Sequence, residues 1–502
     1  MATEMARTLI GLVLAWLWLA VASGAAIDSS GTGDTNNTPS GTPTAVIGST
    51  STTIPVVSDF TKIQVDDVPS GVISSGILNR TAVFGYTYES NVNVNSIAWD
   101  ALTHLVLAFF SVDARGAVTT TSNNIATVVN TAHKNGVKVL ASIGGDGTGS
   151  SRLTAALSSN TTRATLAASL TSVIKSNGLD GADYDLEFPG SQDELDNLFA
   201  GLQAIRATMD SAFVKGTKTL TMTLYSSNGK FGPSLSPVDA TPFSDLVDYG
   251  LLMSYDYFGG FSETSGPNSP YYDIPGHKGL SFTSSVSAWI RAGWDPKKLV
   301  AGLPYYGRSS VVSIGSSSTR TQFMPSAGGA APAGPVSKIP GAWTWFDLRD
   351  PKNGALSSPT AARGGWQRFW DDGTLTPWLL DNSTQTYIGY DDQASLTAKA
   401  GYALNSGLGG TMIWMVQYDY NGELSSVVKS YRSACMRIAR EAEALEASML
   451  SESESESDES DSSDSSDEPS SHSHHSAAPA RSSAGLGWAL VAAVVAASGF
   501  RL

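Results

Sequence analysis

Between residues 79 and 435, eight short apolar or β-branched runs recur: "TAVFGY", "HLVLAFF", "VKVLASIGG", "LDGADYDLE", "LTMTLYSS", "YGLLMSYD", "LVAGLPYYG" and "TMIWMVQYD". Between them the polar–apolar rhythm changes to a helical one. Ile125, Val128, Val129 and Ala132 share one face before Asn135-Gly136, and Leu166, Leu170, Val173 and Ile174 share another before Asn177-Gly178. A longer stripe follows the fourth run: Leu195, Leu198, Phe199, Leu202, Ile205 and Met209. Near-continuous apolar strands alternating with amphipathic helices predict a parallel sheet covered by helices. Eight such units predict an α/β fold of the closed (β/α)8 (TIM) barrel type, and no Gly-rich phosphate fingerprint follows the first strand. The seventh and eighth runs lie about 100 residues apart, far beyond an ordinary loop. The aromatic, strand-like text there, including Trp343, Trp345 and Trp366, predicts a small α+β insertion at about 309–389. Most of its tryptophans are expected in that lobe's own core, with a helix at about 391–405 returning the chain to the barrel.

Both flanks depart from this rhythm. Arg7 precedes an apolar run from Leu9 to about Val21 and then small residues, which reads as a secretory signal over 1–24. Residues 25–78 read as a Ser/Thr-rich spacer, and Asn36, Asn79, Asn160 and Asn382 head glycosylation sequons. Residues 436–480 read as an extended, disordered acidic and Ser-rich stalk that repels itself. Residues 481–502 then provide an apolar tail from Trp488 to Phe500, too short to span a bilayer. With Ser476, Ala477 and Ala478 ahead of it, this reads as a glycosylphosphatidylinositol (GPI) attachment signal. The expected destination is therefore the cell surface or wall, with the membrane reached through lipid.

Charge adds one exclusion. From Arg440 onward twelve acids and three arginines account for −9 of the net −15, and no basic cluster exists to attract nucleic acid. Cys435 is the one cysteine, so no internal disulfide forms, and its small and apolar neighbours predict a buried, inert thiol.

The fourth run, "LDGADYDLEFPG", carries Asp180, Asp183, Asp185 and Glu187. Residues two apart share a face of a strand, so Asp183, Asp185 and Glu187 point together into the barrel, Glu187 nearest the C-terminal mouth. Crowded carboxylates raise the pKa of at least one, which supplies a protonated acid for cleaving an acetal. Asp180 is expected to cap a turn. The run does not match an EF-hand, which requires Gly at its sixth position and Glu at its twelfth, so metal binding is the weaker alternative.

"DGADYDLE" resembles the D-G-x-D-x-D-x-E signature of family 18 glycoside hydrolases, the chitinases. "SIGG" at Ser142–Gly145 resembles the family's third-strand motif, "MSYD" at Met253–Asp256 its sixth, and "GLPYYGR" at Gly302–Arg308 its seventh, while Trp414 takes the place of its eighth-strand tryptophan. The resemblance covers residues 80–430. It implies that Glu187 protonates the glycosidic oxygen while the substrate's own 2-acetamido group attacks the anomeric carbon. Asp185 then orients the acetamide, Asp183 shares its proton, and Tyr255 hydrogen-bonds the acetamido group. Met253 and Asp256 shape the subsite, Trp414 forms its floor, and Tyr86 and Phe109 complete the wall. Tyr306 and Arg308 follow from the seventh-strand pattern. The resemblance also implies cis peptides at Ala108–Phe109, Glu187–Phe188 and Trp414–Met415. Such chemistry uses no cofactor and no metal, and no protein partner is implied. Two departures stand out: Leu186 and Phe188 replace a Trp and a Tyr common in the signature, and Asp146 follows "SIGG" where many members carry a tryptophan that stacks a distant sugar. The expected activity is chitin hydrolysis with retention. An endo-β-N-acetylglucosaminidase acting on N-glycans, or a non-catalytic chitin-binding wall protein, are the alternatives, although members of the last class typically lose the acid.

Overall fold

The computed structural model describes residues 54–226, 229–315 and 321–460. The expected signal segment, most of the spacer with Asn36, the lower part of the acidic stalk and the GPI-type tail lie outside the described residues.

The barrel forms as the pattern predicts. Its strands are β1 (Ala82–Tyr88), β2 (His104–Val112), β3 (Lys138–Gly144), β4 (Gly181–Asp185), β5 (Thr219–Leu224), β6 (Tyr249–Leu252), β7 (Leu299–Pro304) and β8 (Gly410–Trp414). Each pairs in parallel with the next, and β8 pairs with β1, so the sheet closes on itself. Helices Ile125–Lys134, Asn160–Asn177 and Gln192–Ala212 bury the stripes read above, save that Val173 and Phe199 are half-buried. Local chemistry starts them: Ser159 and Ser191 accept bonds from the backbone N–H groups of Thr162 and Glu194, satisfying donors that the first helical turn leaves free.

The insertion is also present. Strands Ala342–Thr344, Tyr306–Val311, Thr386–Gly389, Thr376–Asp381 and Trp366–Asp371 form an antiparallel sheet in that order, with helix Trp345–Arg349 beside it. It begins slightly earlier than expected, so Tyr306 and Arg308 belong to its first strand rather than to β7. Trp343 and Trp345 are buried and Trp366 is half-buried against Trp343, in accord with a core role for most of them. Helix Gln393–Asn405 returns the chain to β8, and a fully buried ion pair between Lys399 and Asp391 fixes its start.

Two boundaries need correction. Residues 54–78 are not spacer: Val57, Phe60, Ile63, Val68, Ile77 and Leu78 are buried in the barrel's main core. Their irregular spacing carries no period because they form a strap with only short helical turns, at Val65–Asp67, Ser70–Ser74 and Ile77–Arg80. The strap is tied down by Arg437, whose guanidinium donates to the carbonyls of Phe60 and Ile63, and by the Asn405 side chain, which donates to Pro55 O. Nor does the core end at Cys435. Helix Ser425–Ser460 carries the stripe Tyr431, Cys435, Ile438 and Ala442 inward, and this spacing is helical well past 435. A second unit begins at Leu445, and its described residues, 445–460, are helical.

Candidate active site

The β4 ladder ends at Asp185, but the alternation continues one step further, leaving Glu187 half-buried at the mouth while Leu186 packs into the core. Asp183 lies deepest and is fully buried. Its Oδ2 accepts bonds from Tyr86 Oη on β1 and Ser142 Oγ on β3, each at 2.7 Å, and its Oδ1 accepts from Thr221 Oγ1 on β5 at 2.6 Å. Register produces this, since Ser142 and Thr221 are the direct lateral neighbours of Asp183. Burial nevertheless outweighs the three hydroxyls and raises the Asp183 pKa.

Asp185 is pushed up to about 7, first by burial and then by the charge of Asp183; the hydroxyl of Thr223, at 2.7 Å, and a hydrogen bond with Glu187 oppose this. Glu187 lies well above the ordinary range of a glutamate, chiefly through burial and then through the charges of Asp185, Asp146 and Asp256. The row is therefore graded. The carboxyl with three O–H donors best tolerates negative charge, and the carboxyl at the mouth holds its proton most firmly. That is the order required of a general acid at the cleft.

The wall is aromatic. Trp414 lies 5.3 Å from the Tyr86 ring and stacks on Phe109 at 6.1 Å, and both Trp414 and Phe109 keep part of their surface open. All three peptides named by the resemblance are cis. Gly145 is required here, because a Cβ on it would stand 2.7 Å from the Phe109 ring and its φ is +82°. Tyr255 is buried, and its hydroxyl has the Met412 thioether at 3.8 Å as its hydrogen-bond partner, which leaves it able to donate to a stronger acceptor. Asp256 adopts a left-handed conformation with φ +63°. Arg308 grips it through Nε at 2.6 Å and Nη2 at 2.5 Å, and Tyr306 Oη donates at 2.7 Å. Burial alone would lower the Arg308 pKa, but the facing Asp256 more than reverses this and raises it. Met253 lies beside them, partly exposed.

All eleven residues singled out in the sequence thus gather at one end of the barrel. Asp180 does not join them: its carboxylate ties Val139 N and His133 at the opposite end of the strands. The sequence reading missed Thr221 and Thr223, although the alternating threonines of "TLTMTL" place them on the inner face beside the carboxylates. It also missed Asn268, which accepts from Asp256 N and donates to Tyr306 O at 3.0 Å each, from a long loop with no periodic signal.

A closed parallel barrel with an inward carboxylate row at its C-terminal mouth defines a glycoside hydrolase site. A family model described as glycosyl hydrolases family 18 matches residues 81–419, and the chain belongs to that family. A class V chitinase of Arabidopsis thaliana is 31% identical over 363 residues, covering 67% of this chain and 85% of the relative. A chitinase-like effector of Moniliophthora roreri is 26% identical over 370 residues, covering 67% of this chain and 88% of the relative. Among solved structures, a chitinase from Rhizomucor miehei superposes with a TM-score of 0.63 at 26% identity, over 70% of this chain and all of that one.

Proposed function

We propose that this glycoside hydrolase cleaves β-1,4-linked N-acetylglucosamine polymers, that is chitin or its oligosaccharides, with retention of configuration. The observation that carries the reading is the row of Asp183, Asp185 and Glu187, held by the hydroxyls of Tyr86, Ser142, Thr221 and Thr223 beneath the aromatic cup. Glu187 gives its proton to the glycosidic oxygen as the bond to the anomeric carbon breaks. The acetamide carbonyl oxygen of the same sugar attacks that carbon from the opposite face and forms an oxazolinium ion. Asp185, bonded to Thr223, balances the positive charge that develops on the acetamide nitrogen, and the hydroxyl of Tyr255 holds the acetamide in place. Trp414 provides a flat apolar face for the sugar ring. Water, deprotonated by the now ionised Glu187, then opens the ion from the face the leaving group vacated, restoring the β configuration.

Glu187→Gln keeps the shape of the acid but not its proton, and activity on chitooligosaccharides should fall about 10²–10⁴-fold while binding largely survives. Proton NMR in the first minutes should show the β anomer, and a chain lacking the acetamide at the reacting sugar should not be cut. An initial α product, or near-normal turnover by Glu187→Gln, overturns the mechanism. Parallel assays on chitin and on an N-glycoprotein separate this reading from the endo-β-N-acetylglucosaminidase alternative. Binding to chitin without release of soluble sugars would favour the non-catalytic alternative.

The composition of residues 1–24 and 481–502 supports a secreted chain held at the cell surface or wall through a GPI lipid. Phosphatidylinositol-specific phospholipase should release it from intact cells. Retention after treatment, with the 488–500 peptide still in the protein, refutes the anchor.

A further inference from the structure

The mouth carries a charge that cleavage of a neutral chain does not require. Asp146 directly follows Gly145 at the end of β3 and is exposed. Its position is fixed from both sides: Gly145 N–H donates to Asp185 O at 2.8 Å, and Gly149 N–H donates to Asp146 O at 3.3 Å. The backbone of Asp146 is thus anchored one residue from the end of the catalytic strand, and its charge reaches both Asp185 and Glu187. Its carboxylate makes no hydrogen bond or ion pair among the described residues. The other titratable groups at the mouth are Asp185, Glu187, Asp256 and Arg308, and the one cation among them is bound by both oxygens of Asp256. Arg152, on the helix that begins at Thr148, is exposed and forms no ion pair with Asp146.

A neutral N-acetylglucosamine unit covering this carboxylate would cost it hydration and return no charge. A unit without its acetyl group has a primary amine instead, which in mildly acidic solution is an ammonium with three donors and the opposite charge. We infer that Asp146 is a specificity residue that recognises the ammonium group of a glucosamine unit bound at the mouth outside the position of the reacting N-acetylglucosamine. Partly de-acetylated chitin is then a better ligand than the fully acetylated polymer, while the reacting sugar keeps its acetamide. This inference rests on the function proposed above.

Binding and cleavage are measured separately so that the two ideas can fail independently. In a Glu187→Gln background, N-acetylglucosamine tetramers with one glucosamine at each position in turn are compared with the fully acetylated tetramer. One isomer should bind about three- to five-fold more tightly, the scale of a single exposed ion pair. The preference should vanish in Glu187→Gln/Asp146→Asn, reverse in Glu187→Gln/Asp146→Lys, and fade at about 1 M salt. An unchanged preference in the Asn double variant, or equal binding of all tetramers in the parent, overturns the assignment. Failure of the wild type to cut fully acetylated hexamer would instead refute the proposed hydrolysis, and the binding comparison would still decide the role of Asp146.

Discussion

Replacing Thr221 by Val tests whether Asp183 is ionised in the folded enzyme. The side chains have the same shape and the site is fully buried, so the change removes the hydroxyl that donates to Asp183 Oδ1 at 2.6 Å and little else. Among the described residues Oδ1 accepts from no other side chain, because Tyr86 and Ser142 both address Oδ2. A hydrogen bond to a charged acceptor contributes about 1.5–3 kcal/mol and one between neutral groups about 0.5–1.5 kcal/mol. The Asp183 pKa, already raised by burial, should therefore rise further. A carboxyl whose folded pKa exceeds its unfolded one binds its proton more tightly when folded. Its contribution to stability is complete below the unfolded pKa and is lost as pH rises through the folded pKa. The variant should accordingly lose about 0.5–1.5 kcal/mol at about pH 4 and about 1.5–3 kcal/mol at about pH 8. Urea unfolding at the two pH values, with an unchanged m-value, measures the difference. An equal loss at both would mean that Asp183 stays neutral, and the graded row would need another explanation.

Three further outcomes follow from the geometry. Arg308→Lys keeps the charge but not the fork that holds Asp256, and should lower kcat/KM on chitooligosaccharides about tenfold or more, read by steady-state kinetics. Gly145→Ala, with its Cβ against the Phe109 ring and a positive φ, should cost about 1–3 kcal/mol in thermal or urea unfolding and raise KM. Cys435 is buried and its thiol is pushed up to about 12, first by burial, so a thiol reagent should label it at neutral pH only after unfolding; rapid labelling of the native protein would contradict its placement.

Strand and helix periodicity made the barrel legible because both faces of a parallel sheet are buried, so each strand is written as an unbroken apolar run. The carboxylate row was legible for the opposite reason, since polar residues on such a strand break the run and the period of two assigns them a face. Asn268 was not legible, because a loop residue that meets Asp256 and Tyr306 through folding alone leaves no period. The strap at residues 54–78 was missed for a related reason. Val57, Phe60 and Ile63 are single apolar residues in polar text, and their significance depends on a helix more than 300 positions away, where Phe60 packs on Tyr431 at 5.8 Å between ring centroids. Thr221 and Thr223 were readable from alternation but lacked a neighbour to give them meaning until the strand register was known.

The strap has a mechanical consequence. It grips Asn405 and Arg437 at the end of the barrel where the strands begin, opposite the carboxylate mouth. A pull applied along the helix from Ser425 meets the buried side chains of Tyr431, Cys435 and Ile438 and the two bonds from Arg437 to the strap. Force entering there is shared as shear between helix and strap before it can reach β8, whose last residue, Trp414, is the floor of the cup. The catalytic end is thus shielded from tension that enters the barrel through this helix.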